Sequence, residues 1–229
     1  MTGADLCGCA TGDGGKDRCW KGVVVRLERL TGVPTAKALD EIVSLHVGAF
    51  DGYYLTSLGT GLLRRYYLSL LKEPGSYCFL LMDESDRIFG IALYLRDYEK
   101  CMRRFYLTNV VPLAASIIRG MLFEGPLFRK QTMSRLFPRN DSGRDEAEVL
   151  PPYTLLCLAV DSNNRGLGWG GKLIEFAEEQ LIGDNVKSYY LSVQADNSTA
   201  VALYTKLGFD RVLERSGVLE MIKRNHDSR

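Results

Sequence analysis

Short apolar runs along this chain alternate with segments in which apolar residues recur at helical spacing. Apolar runs of strand length occupy 20–30, 77–82, 87–94, 155–160 and 188–193, and two shorter ones follow at 210–215 and 218–222. Helical spacing covers 35–50, 58–72 and the segment after Gly171. Strands and helices in this order predict an α/β fold.

The glycine-rich turn after the fourth predicted strand is the most distinctive feature of the sequence. The apolar run Leu155–Val160 ends in a polar turn, and Arg165-Gly166-Leu167-Gly168-Trp169-Gly170-Gly171 then leads into a helix. Glycines allow a ligand to approach the backbone closely, and the unpaired N–H groups at the start of a helix attract anions. The pattern predicts a binding site for a phosphate group.

Two known signatures fit this turn. Gly166-x-Gly168-x-x-Gly171, with Asp196 after the next strand, fits a dinucleotide-binding fingerprint. In that fold the first glycine follows its strand almost directly, whereas five residues intervene here. Arg165-x-x-Gly168-x-Gly170 resembles the acetyl-CoA signature of the GNAT N-acetyltransferases, and the spacing favours this second signature.

A later segment supports the same resemblance. Ser192–Phe209 is similar to the second GNAT motif, in which an asparagine begins a short helix that carries an alanine and a tyrosine before a closing Gly-Phe. The matching positions are Asn197, Ala200, Tyr204, Gly208 and Phe209. The resemblance covers residues 154–212 well, and it covers the first half of the chain only as a pattern of strands and helices.

The resemblance implies a fold and a domain organisation. GNAT proteins have a mixed, twisted sheet with helices on both faces, splayed between the fourth and fifth strands, here 155–160 and 188–193. A single domain is expected over 18–229. The Gly- and Asp-rich segment 1–17 is expected to be a disordered tail.

Residues 96–152 depart from the family pattern. They predict a helical insertion over the acceptor site, before the cofactor-binding strand, with helices at 110–123 and 127–137 and a polar loop at 140–148. From 96 to 139, nine Lys and Arg residues oppose three Asp and Glu residues. This charge fits either a solvated face or a lid that attracts an anionic acceptor.

The resemblance also implies that acetyl-CoA is the co-substrate and lies in the splay. Its pantetheine would pair with the cofactor strand, and its pyrophosphate would lie on the amides of the glycine-rich turn. The implied positions are Leu158, Ala159 and Val160 on the strand, Arg165, Gly166, Leu167, Gly168, Trp169, Gly170, Gly171 and Lys172 in the turn, and Asn197, Ala200 and Tyr204 on the next helix. Trp169 equally fits a core position, and Lys172 a solvated one.

The reaction implied by the resemblance is direct attack of a neutral amine on the thioester. Tyr204 stands where the family has the proton donor to the leaving thiolate, and a phenol hydroxyl is able to donate that proton. The backbone N–H of Val160 is the expected donor to the oxyanion.

The general base is left open by the sequence. Many relatives have a glutamate at the start of the cofactor strand, where this chain has Thr154. Glu148 and Glu146 lie just upstream, and a water relayed through Thr154 or Tyr153 is an alternative. His46, in the first predicted helix, has a suitable pKa and is a further candidate.

Charge, targeting signals and cysteine spacing limit the classes of partner that the protein is expected to bind. A net charge of +1 gives no general attraction to nucleic acid, and nothing in the sequence resembles a signal peptide or a membrane span. The six cysteines match no zinc spacing, which favours reduced thiols, a cytoplasmic protein and no bound metal. The sequence leaves the oligomeric state open, with a homodimer as one alternative.

We therefore expect an acetyl-CoA-dependent N-acetyltransferase. The basic insertion favours a small-molecule primary amine as acceptor, such as an amino sugar or a nucleotide-linked sugar. A protein acetyltransferase that acts on an N-terminus or a lysine is the alternative. A third hypothesis, a non-catalytic acyl-CoA-binding module, arises because Thr154 stands in place of a carboxylate.

Overall fold

The computed structural model describes residues 16–20, 23–123, 125–126, 128 and 150–225, with backbone only at 16–20, 23 and 24. These residues form eight strands and seven α-helices. The strands are β1 (Lys16–Trp20), β2 (Val23–Leu30), β3 (Tyr77–Met82), β4 (Ile88–Arg96), β5 (Tyr153–Val160), β6 (Ser188–Gln194), β7 (Asp210–Arg215) and β8 (Val218–Arg224). The helices are α1 (Ala36–Ala49), α2 (Tyr54–Ser57), α3 (Thr60–Leu71), α4 (Tyr98–Thr108), α5 (Val110–Phe123), α6 (Trp169–Gly183) and α7 (Ser198–Lys206).

The strands form one mixed sheet in the order β1-β2-β3-β4-β5-β6-β8-β7. All neighbouring pairs are antiparallel except β5 and β6, which are parallel. These two strands pair only where Tyr153 lies opposite Tyr189 and Thr154 opposite Tyr190. The predicted mixed sheet and its splay are confirmed. β5 and β6 are the predicted fourth and fifth strands, because one additional strand precedes them.

That additional strand corrects the predicted start of the domain. The predicted first strand, 20–30, belongs to a hairpin in which β1 and β2 pair from Lys16 opposite Leu27 to Trp20 opposite Val23. The predicted tail therefore ends too late, because residues 16 and 17 belong to β1. The pattern concealed this hairpin because Lys21-Gly22 interrupts the strand-like run only briefly. Residues 1–15 lie outside the described part of the chain.

A bulge interrupts β5 close to the splay. Leu93 of β4 lies opposite Cys157, but Tyr94 lies opposite Leu155, so Leu156 is an extra residue without a partner in β4. A bulge of this kind bends the strand and increases its local twist. It lies just beyond Thr154, where pairing with β6 ends, so both irregularities occur at the same part of the sheet.

Helices cover both faces of the sheet, as predicted. On one face α6 packs against β3 and β4, and on the other α1 and α3 cover β4 and β5. β3 and β4 are buried on both sides, which explains their continuous apolar sequences. Phe79 is fully buried beneath α6, and its ring centroid lies 5.9 Å from that of Tyr94 and 5.8 Å from that of Phe176.

The inserted segment begins with two consecutive helices. The helix predicted at 110–123 is confirmed as α5, whereas α4 has no counterpart among the predicted elements. The helix predicted at 127–137 lies outside the described residues apart from Phe128, and so does the polar loop predicted at 140–148. α4 packs on α3 through an edge-to-face contact between Phe105 and Tyr66, with 5.4 Å between ring centroids.

The outer face of α5 is apolar and exposed. Val111, Ile118, Leu122 and Phe123 are 78%, 60%, 66% and 79% exposed. In the part of the chain that the structure describes, no single helix is long and apolar enough to span a membrane. α4 and α5 are long and apolar enough only when they are taken together, and an 83° bend separates them.

The central position of Phe79 gives a test of the core. We expect Phe79→Ala to lower the free energy of unfolding by about 3–5 kcal/mol, since it removes a fully buried ring and leaves a cavity. Val33→Ala, at a side chain that is 60% exposed, is the control and should change it by less than about 0.5 kcal/mol. Denaturant unfolding followed by circular dichroism measures both. If Phe79→Ala lowered the free energy of unfolding as little as Val33→Ala does, the assignment of Phe79 to the core would be wrong.

Candidate active site

The separation of β5 from β6 opens a cleft in the sheet, which holds a cavity of about 640 Å³. Leu155–Leu158 of β5 line one side, and Leu191–Gln194 of β6 line the other. Residues of α1, α2, α3 and α7 complete the wall. A cavity of this volume is within the usual range for small-molecule sites.

The motif strand borders the cavity with its middle residues rather than with its last ones. Leu158 lies in the cavity wall, whereas Ala159 is buried in the core on the α1 and α3 side. Val160 pairs with Gly90 of β4 and is not part of the wall. Because pairing with β6 stops at Thr154, the remainder of this strand has an open edge on that side. An extended ligand is able to pair with such an edge as an added strand does.

A polar loop follows the strand. Oδ1 of Asp161 accepts a hydrogen bond from the N–H of Asn163 at 2.9 Å and starts the short 3-10 turn Ser162–Asn164. The Arg165 side chain is exposed, and its Nε donates to the Val160 carbonyl at 3.1 Å. Arg165 therefore closes the loop back on β5 with one of its five side-chain N–H donors.

Two glycines shape the turn into α6. Gly166 has φ 73° and Gly168 has φ 87°, left-handed values at which a side chain causes strain. Gly168 is the N-cap of α6, and the intervening Leu167 is 39% exposed. The chain thus enters the helix with little side-chain bulk around the first amides.

The first amides of α6 have no partner within the helix, as at any helix start. The amide of Lys172 is different, because it donates to the Gly168 carbonyl at 3.2 Å and is not free for a ligand. The Lys172 ammonium pairs with a glutamate one turn further along at 2.6 Å. A Cβ at Gly170 would lie 3.7 Å from Leu203 and 3.8 Å from Leu158, which are ordinary contacts, so packing alone does not require this glycine.

Two other motif positions face the interior. Trp169 is 5% exposed, and its ring centroid lies 5.9 Å from that of Phe89 in an edge-to-face contact. Gly171 is buried next to Leu203 of α7. The Trp169 ring fixes α6 on the sheet, and both residues have only their backbone amides left for a ligand.

The second motif brings three residues to the cavity. Asn197 caps α7, since its Oδ1 accepts a hydrogen bond from the N–H of Ala200 at 3.1 Å, and both residues line the wall. Tyr204 lines the wall one turn further along the helix, and its ring packs on Phe209 with 5.4 Å between centroids. Burial raises the pKa of Tyr204 to about 12, with a smaller contribution from Cys157, so the phenol is protonated at neutral pH.

Three polar groups form a buried network on the opposite elements of the wall, α1, α3 and β5. The Tyr67 hydroxyl lies 2.7 Å from Nδ1 of His46 and 3.4 Å from Sγ of Cys157. It has one proton, so it donates to one neighbour and accepts from the other. Burial lowers the pKa of His46 to about 4 and raises the pKa of Cys157 to about 11, so both groups are neutral at pH 7.

Of the predicted bases, His46 borders the cavity, and its Nε2 is buried without a partner among the described residues. Glu148 and Glu146 lie outside the described residues. Tyr67 and Cys157 have no counterpart among the predicted site residues, because neither belongs to a motif. The position of Cys157 within the motif strand is the one signal that points to it.

The cavity wall carries no formal charge in the part that the structure describes, since none of its residues is Asp, Glu, Lys or Arg. Two arginines of the insertion make other contacts: Arg104 pairs with Glu73 at 3.0 Å, and Arg119 donates to the Ser57 carbonyl at 3.4 Å. No group of three or more His, Cys, Asp or Glu among the described residues is arranged to hold a metal ion.

Sequence comparison finds the same motifs. The model of the acetyltransferase (GNAT) family matches residues 135–209. Over 67 residues, or 29% of this chain, the sequence is 37% identical to the ribosomal protein bS18-alanine N-acetyltransferase of Escherichia coli K12, and the match covers 45% of that protein. A Mycobacterium leprae protein is 41% identical over 68 residues, which cover 17% of its length. The chain thus spans less than half the length of the curated relatives it matches.

Structural comparison extends the likeness to most of the chain. A crystal structure from Pyrococcus horikoshii matches 88% of this chain and 99% of its own, with a TM-score of 0.57 and 20% identity. Arylalkylamine N-acetyltransferase 2 from Aedes aegypti has the same coverages, a TM-score of 0.52 and 21% identity. At these identities the likeness shows the fold alone.

Residues 135–209 thus match the GNAT acetyltransferase family, whose members use acetyl-CoA, and the splayed sheet has the fold of the matched structures.

Proposed function

We propose that this protein transfers an acetyl group from acetyl-CoA to a primary amine. One observation carries the proposal: the open edge of β5 and the Tyr204 side chain border the same cavity. A thioester held in this cavity has backbone amides beside its carbonyl and a phenol beside its sulfur. Both groups suit acyl transfer.

The anionic end of acetyl-CoA binds at the glycine-rich turn. Backbone N–H groups between Arg165 and Gly171, together with the positive end of the α6 dipole, attract its pyrophosphate. The pantetheine arm follows the open edge of β5 from Leu158 toward the bulge at Leu156. This path brings the thioester to the part of the cleft that Asn197 and Tyr204 border.

The amine nitrogen forms a bond to the thioester carbon, and the carbon–sulfur bond then breaks. Negative charge develops on the carbonyl oxygen between these steps and needs a donor in place. The backbone amide of Leu156 takes this role. The bulge leaves Leu156 without a partner in β4, and the residue lines the cavity wall. It replaces Val160 as the proposed donor, since Val160 does not border the cavity.

His46 and Tyr67 take the proton that the amine loses. Tyr67 accepts this proton while its own proton passes to Nδ1 of His46, 2.7 Å away. Protonating a histidine with a pKa of about 4 at pH 7 costs about 4 kcal/mol, at about 1.4 kcal/mol for each pKa unit. A cost of that size fits a transient proton carrier. It also means that His46 is neutral, and able to accept, before each turnover.

Tyr204 stabilises the leaving sulfur. A phenol with a pKa of about 12 keeps its proton at neutral pH and donates a hydrogen bond to the developing thiolate. Full proton transfer to a thiolate whose ordinary pKa is about 8.5 would be uphill. The hydrogen bond is therefore the main contribution, and the proton on the released thiol comes finally from solvent.

The acceptor is a small molecule whose amine binds uncharged. A nucleotide-linked sugar would need cations near its phosphates, and none lies in the described part of the cavity wall. The same wall has no carboxylate to hold an ammonium group. The lining thus supports a neutral amine, and two described arginines of the insertion, Arg104 and Arg119, make contacts elsewhere.

A protein N-terminus is the second candidate acceptor. The match to an enzyme named for an alanine of ribosomal protein bS18 favours it. Turnover of peptides that begin with alanine, compared with turnover of free amines at equal concentration, separates the two candidates.

The glycine-rich turn gives the first functional test. Gly170→Ala should weaken acetyl-CoA binding about tenfold or more, because a Cβ in the first turn tilts toward the helix start where the pyrophosphate lies. The protein has room for this Cβ, so the melting temperature should not fall. Gly183→Ala, at the far end of α6 and with nothing near its Cβ, is the matched control. Calorimetric titration with acetyl-CoA measures the affinity of both variants. Unchanged affinity in Gly170→Ala would show that the pyrophosphate binds elsewhere.

Removal of the phenol hydroxyl gives the second test. Tyr204→Phe should lower kcat about 10²-fold, the effect of losing one aligned donor, with little change in KM for acetyl-CoA. Thiol release in steady-state assays measures both constants. A near-wild-type kcat would leave Tyr204 as a packing residue. A wild-type protein that binds acetyl-CoA and acetylates no amine or peptide would instead support the non-catalytic acyl-CoA-binding hypothesis.

The proposed base gives the third test through its pH dependence. Because burial lowers the pKa of His46 to about 4, the wild-type kcat should be flat from pH 6 to 8, with His46 neutral throughout. His46→Asn keeps a polar atom near Tyr67 but cannot take the proton, so kcat at pH 7 should fall about 10²-fold. It should then rise with pH, because solvent hydroxide has to take the amine proton in place of His46. A variant with lowered kcat and a flat profile would show a structural role only.

A further inference from the structure

The inserted helices build a second cavity, of about 320 Å³, beside the cleft. It lies between α2 and α3 on one side and α4 and α5 on the other. A GNAT domain without the insertion would have no α4 or α5 to close this space. The cavity is thus specific to what this chain adds to the family fold.

The lining of the second cavity is aliphatic and aromatic. Leu58 and Leu62 form the α2 and α3 side, Met102 and Phe105 come from α4, and Ile117 comes from α5. The described lining contains no Asp, Glu, Lys or Arg, and its polar atoms are tyrosine hydroxyls. Such a surface favours an apolar group and offers nothing to a charged one.

The second cavity adjoins the cleft. Tyr54, Leu55, Tyr66 and Tyr98 border both spaces. Burial raises the pKa of Tyr66, with further contributions from Tyr98 on the insertion and from Cys157 in the cleft. The Tyr66 hydroxyl is therefore close to both, at the boundary between the reacting groups and the apolar cavity.

The position of the cavity along β5 separates it from the cofactor path. The glycine-rich turn lies at the end of β5, because it follows Val160. Helix α4 lies near the beginning of β5, because it follows Arg96 of β4, which pairs with Tyr153. β5 has eight residues, so these two ends are about 25 Å apart at about 3.3 Å for each residue. A cofactor that enters from the turn reaches the middle of the strand, and the second cavity remains for the other substrate.

We infer that this cavity, which we call the insertion pocket, holds an apolar side group of the amine acceptor. The inference rests on the proposed acetyl transfer and specifies its substrate class: a primary amine attached through a short chain to an aromatic ring or a branched aliphatic group. A pocket of about 150 Å³ is enough for a benzene ring, so a volume of about 320 Å³ accommodates a ring and its linker. The tyrosines at the boundary hold the amine end in the cleft.

A pair of substitutions on neighbouring residues of α5 tests the inference. Ile117→Trp puts an indole into the insertion pocket, which Ile117 lines. Ile118→Trp makes the same change on the outer face of the helix, where Ile118 is 60% exposed, and serves as the matched control. The probes are 2-phenylethylamine, which has a ring, and ethanolamine, which has no apolar group.

With the wild-type protein we expect kcat/KM for 2-phenylethylamine to exceed that for ethanolamine by about 10- to 100-fold, the gain from burying one aromatic side group. Ile117→Trp should remove most of this preference and leave turnover of ethanolamine unchanged. Ile118→Trp should behave as the wild type. Equal rates for the two amines in the wild type, or equal losses for both amines in Ile117→Trp, would overturn the inference.

Two further measurements separate this inference from the proposed function. Hexanoyl-CoA in place of acetyl-CoA tests whether the pocket holds the acyl chain: if Ile117→Trp impairs hexanoyl transfer and spares 2-phenylethylamine, the inference is wrong. Calorimetric titration of 2-phenylethylamine in the presence of CoA reports binding without turnover. Acetyl-CoA binding with no binding of this amine would overturn the inference alone, whereas absence of acetyl-CoA binding would overturn the proposed function.

Discussion

Backbone N–H and C=O groups in a sheet require hydrogen-bond partners, and the organisation of this protein depends on that constraint. β5 lies in the middle of an eight-stranded sheet, yet its pairing with β6 ends at Thr154. Beyond that point its open edge faces a cavity inside the fold. A sheet normally leaves such edges at its margin, so an internal one is a position for a ligand that completes the ladder.

The bulge at Leu156 and the turn after Val160 follow from the same constraint. The bulge twists β5 where it leaves β6, and the left-handed glycines at 166 and 168 then direct the chain into α6. The open strand edge and the Tyr204 face of α7 border one cavity, and the start of α6 lies beyond the last residue of that strand. A single elongated ligand with an anionic end and an acyl end matches this arrangement.

The polar side chains of the described cleft wall are hydroxyls, amides, an imidazole and a thiol, and none is a carboxylate. Burial of His46 and Tyr204 shifts both pKa values in the direction that favours the neutral form, so neither carries charge at neutral pH. A described wall without Asp, Glu, Lys or Arg makes ionic substrates unfavourable to bind. The inserted helices extend this environment, because their inner surfaces are apolar and two of their arginines, Arg104 and Arg119, make contacts elsewhere.

Local sequence determined the parts of the site that depend on local backbone geometry. The glycine-rich turn, the start of α6 and the Asn197 cap are each formed by residues within a few positions of one another, so their order in the chain was enough to predict them. The α/β class, the splay and the helix at 110–123 followed from periodicity and from the resemblance that these motifs carried.

Tertiary structure decided the features that depend on residues far apart in the chain. His46 contacts Tyr67 across 21 residues of sequence, and Tyr67 contacts Cys157 across 90. Hydrophobic periodicity does not predict contacts between residues so far apart in the chain. The bulge that leaves Leu156 without a partner in β4 depends on the register between β4 and β5, and apolar runs do not encode register. The insertion pocket arises only where four helices pack together, so the sequence alone indicated the charge of the insertion but not the apolar cavity that its helices enclose.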